Sequence, residues 1–188
     1  MFLHKIDNEI SLKLIDLGDA ERIFEMTDKS RDHLREWLPW LDMTRTVNDT
    51  RAFIQGAQRG YGENRSLTTV ILFNGATAGV IGFNELNMMN KTAQIGYWLG
   101  AGYQGKGLMT RAAAAMTDYA FNELGMHKVE IRAASGNKKS RAVPERLEFK
   151  QEGCIRQAEW LYDHYVDHVV YGILDSEWKA KKNKKANK

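Results

Sequence analysis

One cysteine and two prolines among 188 residues leave this chain little with which to staple or kink itself. Cys154 has no partner for a disulfide and cannot build a cysteine-based zinc site, so it reads as a small packing residue. No stretch approaches the roughly 18 uncharged apolar residues of a membrane helix. The opening MFLHKIDNEISLKL lacks a signal peptide's apolar region and cleavage site, so a cytoplasmic protein is expected. His33, His127, His164 and His168 form no H-E-x-x-H or comparable cluster, and no metal is expected. Internal repeats and linkers are missing as well.

What is present is enough for one domain with a sizeable core, since 43% of the residues are hydrophobic. The net charge of +3 suggests a nucleic-acid partner until its location is considered. Six lysines crowd into KAKKNKKANK at 179–188, which leaves residues 1–178 near −3. A lysine run after the last apolar residue reads as a disordered, solvated tail, with RNA contact the lesser alternative.

Hydrophobic periodicity gives an order of elements. ISLKLI alternates as a first strand. Asp19 is the expected cap of a helix to about residue 28, and Ser30 starts a second that stops before Pro39. Asn48 or Asp49 opens a third, to about residue 60. SLTTVILF and ATAGVIGFNEL flank Asn74-Gly75, a strong hairpin signal, and TAQIGYWLG follows after a polar loop. A helix over about 107–124, a strand HKVEIRAA, a short helix SRAVPERL and two late strands near 150–160 and 165–174 complete the pattern.

The segment GAGYQGKGLMTRAAAAM, residues 100–116, points to an anion. The first turn of a helix has N–H groups without intrahelical acceptors and the positive end of the helix dipole. Glycines at 105 and 107 let that backbone approach a phosphate closely. Read from Gly100, the run is one substitution from G-x-x-x-x-G-K-[ST], and VVYGILD ending in Asp175 imitates a magnesium-binding strand. Gly107, however, removes the hydroxyl that a nucleotide hydrolase needs for Mg²⁺, and only one βα unit follows where a parallel series is required.

From Gln104 the same residues read Q-G-K-G-L-M, which resembles the Q/R-x-x-G-x-G/A pyrophosphate signature of the GNAT acyltransferase superfamily. QIGYWLG upstream resembles that family's strand beside the pantetheine arm. NKKSRAVPERLEF downstream resembles its N-x-x-[AS]-x-x-[VL]-x-x-x-x-G-F block, with Glu148 where glycine is usual. SRDHLREWLPWL and EGCIRQAEWLYDHYVDHVVYGIL are similar to the Rim-type ribosomal-protein serine/alanine N-acetyltransferases, over residues 8–178.

The resemblance implies an α/β fold of the α+β type: a single domain over 1–178 with a mixed, mostly antiparallel central sheet flanked by helices. It implies acetyl-coenzyme A as cofactor, an acceptor protein's α-amino group as target, and a homodimer. By that resemblance Glu159 is the first candidate base and Glu85, at a central strand's end, the second. Ser140 is assigned to the departing thiolate, since Pro144 occupies the place of the tyrosine that many members use. Asn137 and the backbone of Tyr97, Trp98 and Leu99 face the cofactor arm, with Tyr97 or Trp98 supplying an oxyanion donor. Gln104, Gly105, Lys106, Gly107, Met109 and Thr110 take the pyrophosphate, while Arg111 reads as solvent-facing. Trp37, Trp40, Phe83 and Tyr162 are candidates for the acceptor groove. A small-molecule acetyltransferase and a non-catalytic coenzyme A-binding module stay open as alternatives.

Overall fold

The computed structural model describes residues 3–186. Among the described residues eight strands form one sheet: β1 (Leu3–Lys5), β2 (Ile10–Leu14), β3 (Leu67–Phe73), β4 (Ala76–Asn87), β5 (Thr92–Leu99), β6 (Lys128–Ala134), β7 (Lys150–Leu161) and β8 (His164–Leu174). Their spatial order is β1-β2-β3-β4-β5-β6-β8-β7. Every neighbouring pair is antiparallel except β5–β6, which is parallel and bridged by a helix. This disposes of the hydrolase alternative, whose loop requires a parallel series.

Alternation explains the strands. In β2, Ile10 and Leu12 are buried while Ser11 and Lys13 face the other way. Asn74 and Gly75 join β3 to β4 with φ of 50° and 80°, the left-handed pair that a two-residue hairpin requires. Helices α1 (Ala20–Lys29) and α3 (Val47–Gly62) cover one face through Ala20, Ile23 and Ile54 against Val70 and Val80. Between them lies the short α2 (Arg31–Arg35). Helix α4 (Leu108–Asn122) covers the opposite face, where fully buried Ala112, Ala113 and Ala120 permit close approach to the sheet. The short α5 (Lys138–Arg146) follows β6.

Four expectations change. Asp19 stands at the N-cap of α1 as expected, but its side chain does not cap that helix; it closes a capping box with Asp16 around the preceding 3-10 turn (Leu17–Asp19) and bonds Lys13 at 2.5 Å. Thr46, not Asn48 or Asp49, caps α3, again in a box with Asp49. Cys154 is exposed because β7 is the sheet's outer edge. The lysine-rich end continues as helix α6 (Asp175–Ala186), held by Trp178, which is 5% exposed and packs 6.4 Å from Phe149. Of the expected disordered segment, residues 187 and 188 lie outside the described part. Glu148 adopts φ 63°, the left-handed conformation that favours glycine.

Candidate active site

The parallel pair β5–β6 is joined only from Thr92↔Lys128 to Ile95↔Ile131. Beyond Ile95, β5 stays with β4 as far as Leu99↔Gly79, and β6 stays with β8 as far as Ala134↔His168. The two strands therefore part. Gly96–Leu99 is left with one side of its backbone facing a notch and no ladder partner there among the described residues. The cause sits in β4, where Asn84 is an extra residue between Phe83↔Ile95 and Glu85↔Gln94. Such a bulge bends and twists its strand. The Asn84 side chain lies across Gly96, where a Cβ would stand 2.1 Å from its nitrogen. An amide thus marks the apex of the notch, and sequence reasoning passed over it for its neighbour Glu85.

The glycine loop closes one end. Gly105 and Gly107 take φ of 74° and 71°, with open space where a Cβ would be. Gly107 is the N-cap of α4 and offers no side chain, so the first intrahelical bond runs from the Arg111 N–H to its carbonyl at 3.2 Å. The N–H groups of Leu108, Met109 and Thr110 thus lack an intrahelical acceptor. Met109, expected beside the cofactor, turns its side chain into the core at 7% exposure and leaves only backbone at the loop. Thr110 is half-buried in the first turn, and Lys106 is exposed with its ammonium 5.4 Å from the Phe73 ring. Arg111, read as solvent-facing, instead bonds Asp7 at 2.8 Å and Glu9 at 2.9 Å.

Gln104 is clamped on both sides. Lys139 donates to its Oε1 at 3.3 Å, which turns the amide nitrogen toward the His33 ring. An amide N–H₂ only donates, so the facing ring nitrogen carries a lone pair. In keeping with that, burial and then the Lys139 charge hold the His33 imidazole below its ordinary range. His33 was missed as a site neighbour, being weighed only as a metal ligand.

Across the notch stands the start of α5. Asn137 caps it, accepting the Ser140 N–H at 3.0 Å. Pro144 lacks an N–H, so the Ser140 carbonyl has no donor one turn ahead. The Tyr97 hydroxyl fills that place, donating at 2.9 Å, and in turn lies 3.4 Å from Ser140 Oγ. Burial pushes the Tyr97 phenol above its ordinary range against the opposing bond to Ser140. β5 and α5 are so tied together at the notch.

Glu159 is half-buried on β7, its Oε2 3.3 Å from His168 Nε2. Glu85 is exposed, immediately past the bulge. Trp98 points to the α1–α3 face, with Trp40 at 5.9 Å, while Tyr97 and Leu99 pack on the α4 side. The Trp37 ring borders Gly136, where a Cβ would come within 3.4 Å. Tyr162 donates to the Leu38 carbonyl at 2.6 Å beneath the Arg35 guanidinium, 3.9 Å from its ring centre. Phe83, expected in the acceptor groove, is 1% exposed and belongs to the core, because a central strand is covered on both faces. Among the described residues no group of three or more His, Cys, Asp or Glu is placed to hold a metal, and no helix is long and apolar enough to cross a membrane.

Residues 9–150 match the family model described as acetyltransferase (GNAT) domain. The chain is 34% identical to the Bacillus subtilis protein YdaF over 97% of this chain and 100% of that protein. It is 31% identical to the ribosomal-protein-serine acetyltransferase of Escherichia coli over 92% and 97% of the two chains. Among solved structures, RimL, a ribosomal L7/L12 alpha-N-protein acetyltransferase in complex with coenzyme A, superposes with a TM-score of 0.88 at 29% identity, covering 92% of this chain and 98% of its own.

Proposed function

The chain belongs to the GNAT acetyltransferase family, and on that premise we propose that it acetylates the N-terminal α-amino group of a ribosomal protein beginning with serine or alanine, using acetyl-coenzyme A. The observation that carries the reading is the notch, with one-sided β5 backbone leading straight to the uncapped N-terminus of α4. The residues fit the cofactor. A pantetheine arm carries amides that need donors and acceptors along a strand, and a pyrophosphate needs converging N–H groups with no Cβ in the way. Gly96–Leu99 offers the first, and Gly105 through Thr110 the second.

Acetyl-coenzyme A supplies the acetyl group as a thioester. Glu159 takes a proton from the acceptor's ammonium, directly or through one water, so that the neutral nitrogen can attack. An α-amino group titrates near 8, so a carboxylate is base enough. A backbone N–H of Tyr97 or Trp98 meets the charge gathering on the carbonyl oxygen. Ser140 Oγ gives its proton to the departing sulfur as the C–S bond breaks. Glu85 is the second candidate base. Trp37, Trp40 and Tyr162 flank the acceptor's first residues. The protein works as a homodimer in the cytoplasm.

The test is thiol release from acetyl-coenzyme A with short peptides beginning Ser or Ala, alongside spermidine and other small amines. Peptide-dependent release that falls on the order of 10²–10⁴-fold in Glu159→Gln is expected. Release with small amines alone would replace the acceptor class, and release unchanged in Glu159→Gln would remove the base.

A further inference from the structure

We propose that Asp167 is a positioning residue, which sets Glu159 in the site by pinning a bulge in β7. Ile155 pairs with His168 and Glu159 with Val166, so Arg156, Gln157 and Ala158 together stand opposite Asp167 alone. At the centre of this three-against-one bulge Gln157 takes φ 50°, a conformation that a side-chain-bearing residue avoids. Its N–H has lost the ladder acceptor that regular pairing would supply. The Asp167 carboxylate takes that N–H at 2.8 Å. A charged acceptor makes this one of the stronger hydrogen bonds available to a backbone amide.

The bulge decides where Glu159 stands. Regular pairing from Ile155↔His168 onward would put Gln157 opposite Val166 and Glu159 opposite His164, at the hairpin's end. Two extra residues draw Glu159 back by about 7 Å, at roughly 3.4 Å per residue. Because two is an even number, its side chain keeps its face of the sheet. Drawn back, its carboxylate comes within 3.3 Å of His168 Nε2, and His168 pairs with Ala134, the last residue of β6.

The same residue reaches the other wall. The Asp167 carbonyl accepts the Ser135 N–H at 2.8 Å, and Ser135 lies two residues before Asn137, which caps the helix that carries Ser140. The side chain of Asp167 therefore fixes the strand bearing the proposed base, and its main chain fixes the loop leading to the proposed acid. Only the first of these depends on the carboxylate, which makes the claim separable by mutation.

This inference rests on Glu159 as base, so the experiment crosses the two sites. Asp167→Ala, Asp167→Asn, Glu159→Gln and the double variant Asp167→Ala with Glu159→Gln are compared for kcat, peptide KM and acetyl-coenzyme A Kd. Misplacing a reacting group by an ångström costs up to about 100-fold, so Asp167→Ala should lose about 10- to 100-fold in kcat with Kd unchanged. Asp167→Asn keeps an oxygen that accepts the Gln157 N–H and should stay within about threefold of the parent. In the Glu159→Gln background Asp167→Ala should add less than about twofold, since coupled sites are not additive. If Asp167→Ala does not fold, Asp167→Ser, whose shorter hydroxyl falls short of the bulge, takes its place. A parent-like Asp167→Ala, an Asn variant as slow as Ala, or an equal loss in both backgrounds would overturn the role of Asp167 while leaving the base in place. A Glu159→Gln enzyme at the parent rate would overturn the base and the positioning role together.

Discussion

Proline at 144 determines what the Tyr97 hydroxyl can do. By withholding an N–H it leaves the Ser140 carbonyl for Tyr97, and one bond then joins β5 to the helix bearing the proposed acid. Tyr97→Phe leaves that carbonyl without its donor. The cost of an unsatisfied, partly buried acceptor is about 1–3 kcal/mol, and the half-buried setting puts this one near the lower end. Urea unfolding should show the loss together with a slower kcat, and an unchanged midpoint would mean that the bond contributes nothing. The family resemblance made Ser140, Asn137 and Glu159 candidates in the sequence, but it did not supply their partners. Tyr97 was read for its backbone alone, and its hydroxyl acquires a place only through a contact 43 positions away.

At the scale of elements, β2 to β8 and α4 were legible because alternation, Asn74-Gly75 and the alanine run each constrain the chain locally, whereas β1, three residues long, shows no such alternation. The notch was not. It depends on where pairing between β5 and β6 stops, which follows from a single extra residue, Asn84, and from the glycine that receives it. Phe83 was misplaced for a related reason: its exposure depends on which faces of β4 are covered, and composition does not report this. The clamp on Gln104 joins α2, the glycine loop and α5, and it yields a pH dependence. The folded protein resists protonation of His33, whereas the unfolded chain accepts it near the ordinary value of about 6.5. Below that pH the unfolded state binds more protons, so this contribution to stability is complete above about 6.5 and is lost as pH falls. Thermal unfolding at pH 7.5 and 5.5 should show a smaller pH-dependent drop in His33→Gln than in the parent. An identical drop in both would contradict the clamp.

For the molecule as a whole, the +3 net charge conceals an acidic body and a basic end, and the two meet. Lys182 reaches Asp118 on α4 at 2.5 Å, Lys181 donates to the Leu147 carbonyl at 2.6 Å, and Trp178 donates to Asp118 at 2.8 Å. A run of lysines looked like a solvated tail because its composition carries no apolar stripe, yet one tryptophan ahead of it is enough to seat the helix. Trp178→Ala should cost about 3–5 kcal/mol, as for other buried aromatics truncated to alanine. Denaturant midpoints read this directly, and a negligible change would restore the solvated reading. One sheet, opened between β5 and β6, thus leaves a backbone edge running to an uncapped helix start. The proposed function is transfer of an acetyl group, at this opening, to a protein's first nitrogen. The most direct measurement is tandem mass spectrometry of a Ser-initiated, lysine-containing peptide after incubation with acetyl-coenzyme A and the full-length enzyme. One acetyl group is expected on the N-terminal nitrogen and none when that nitrogen is blocked; acetylation at lysine instead, or no acetylation of any Ser- or Ala-initiated peptide, would rule the proposed function out.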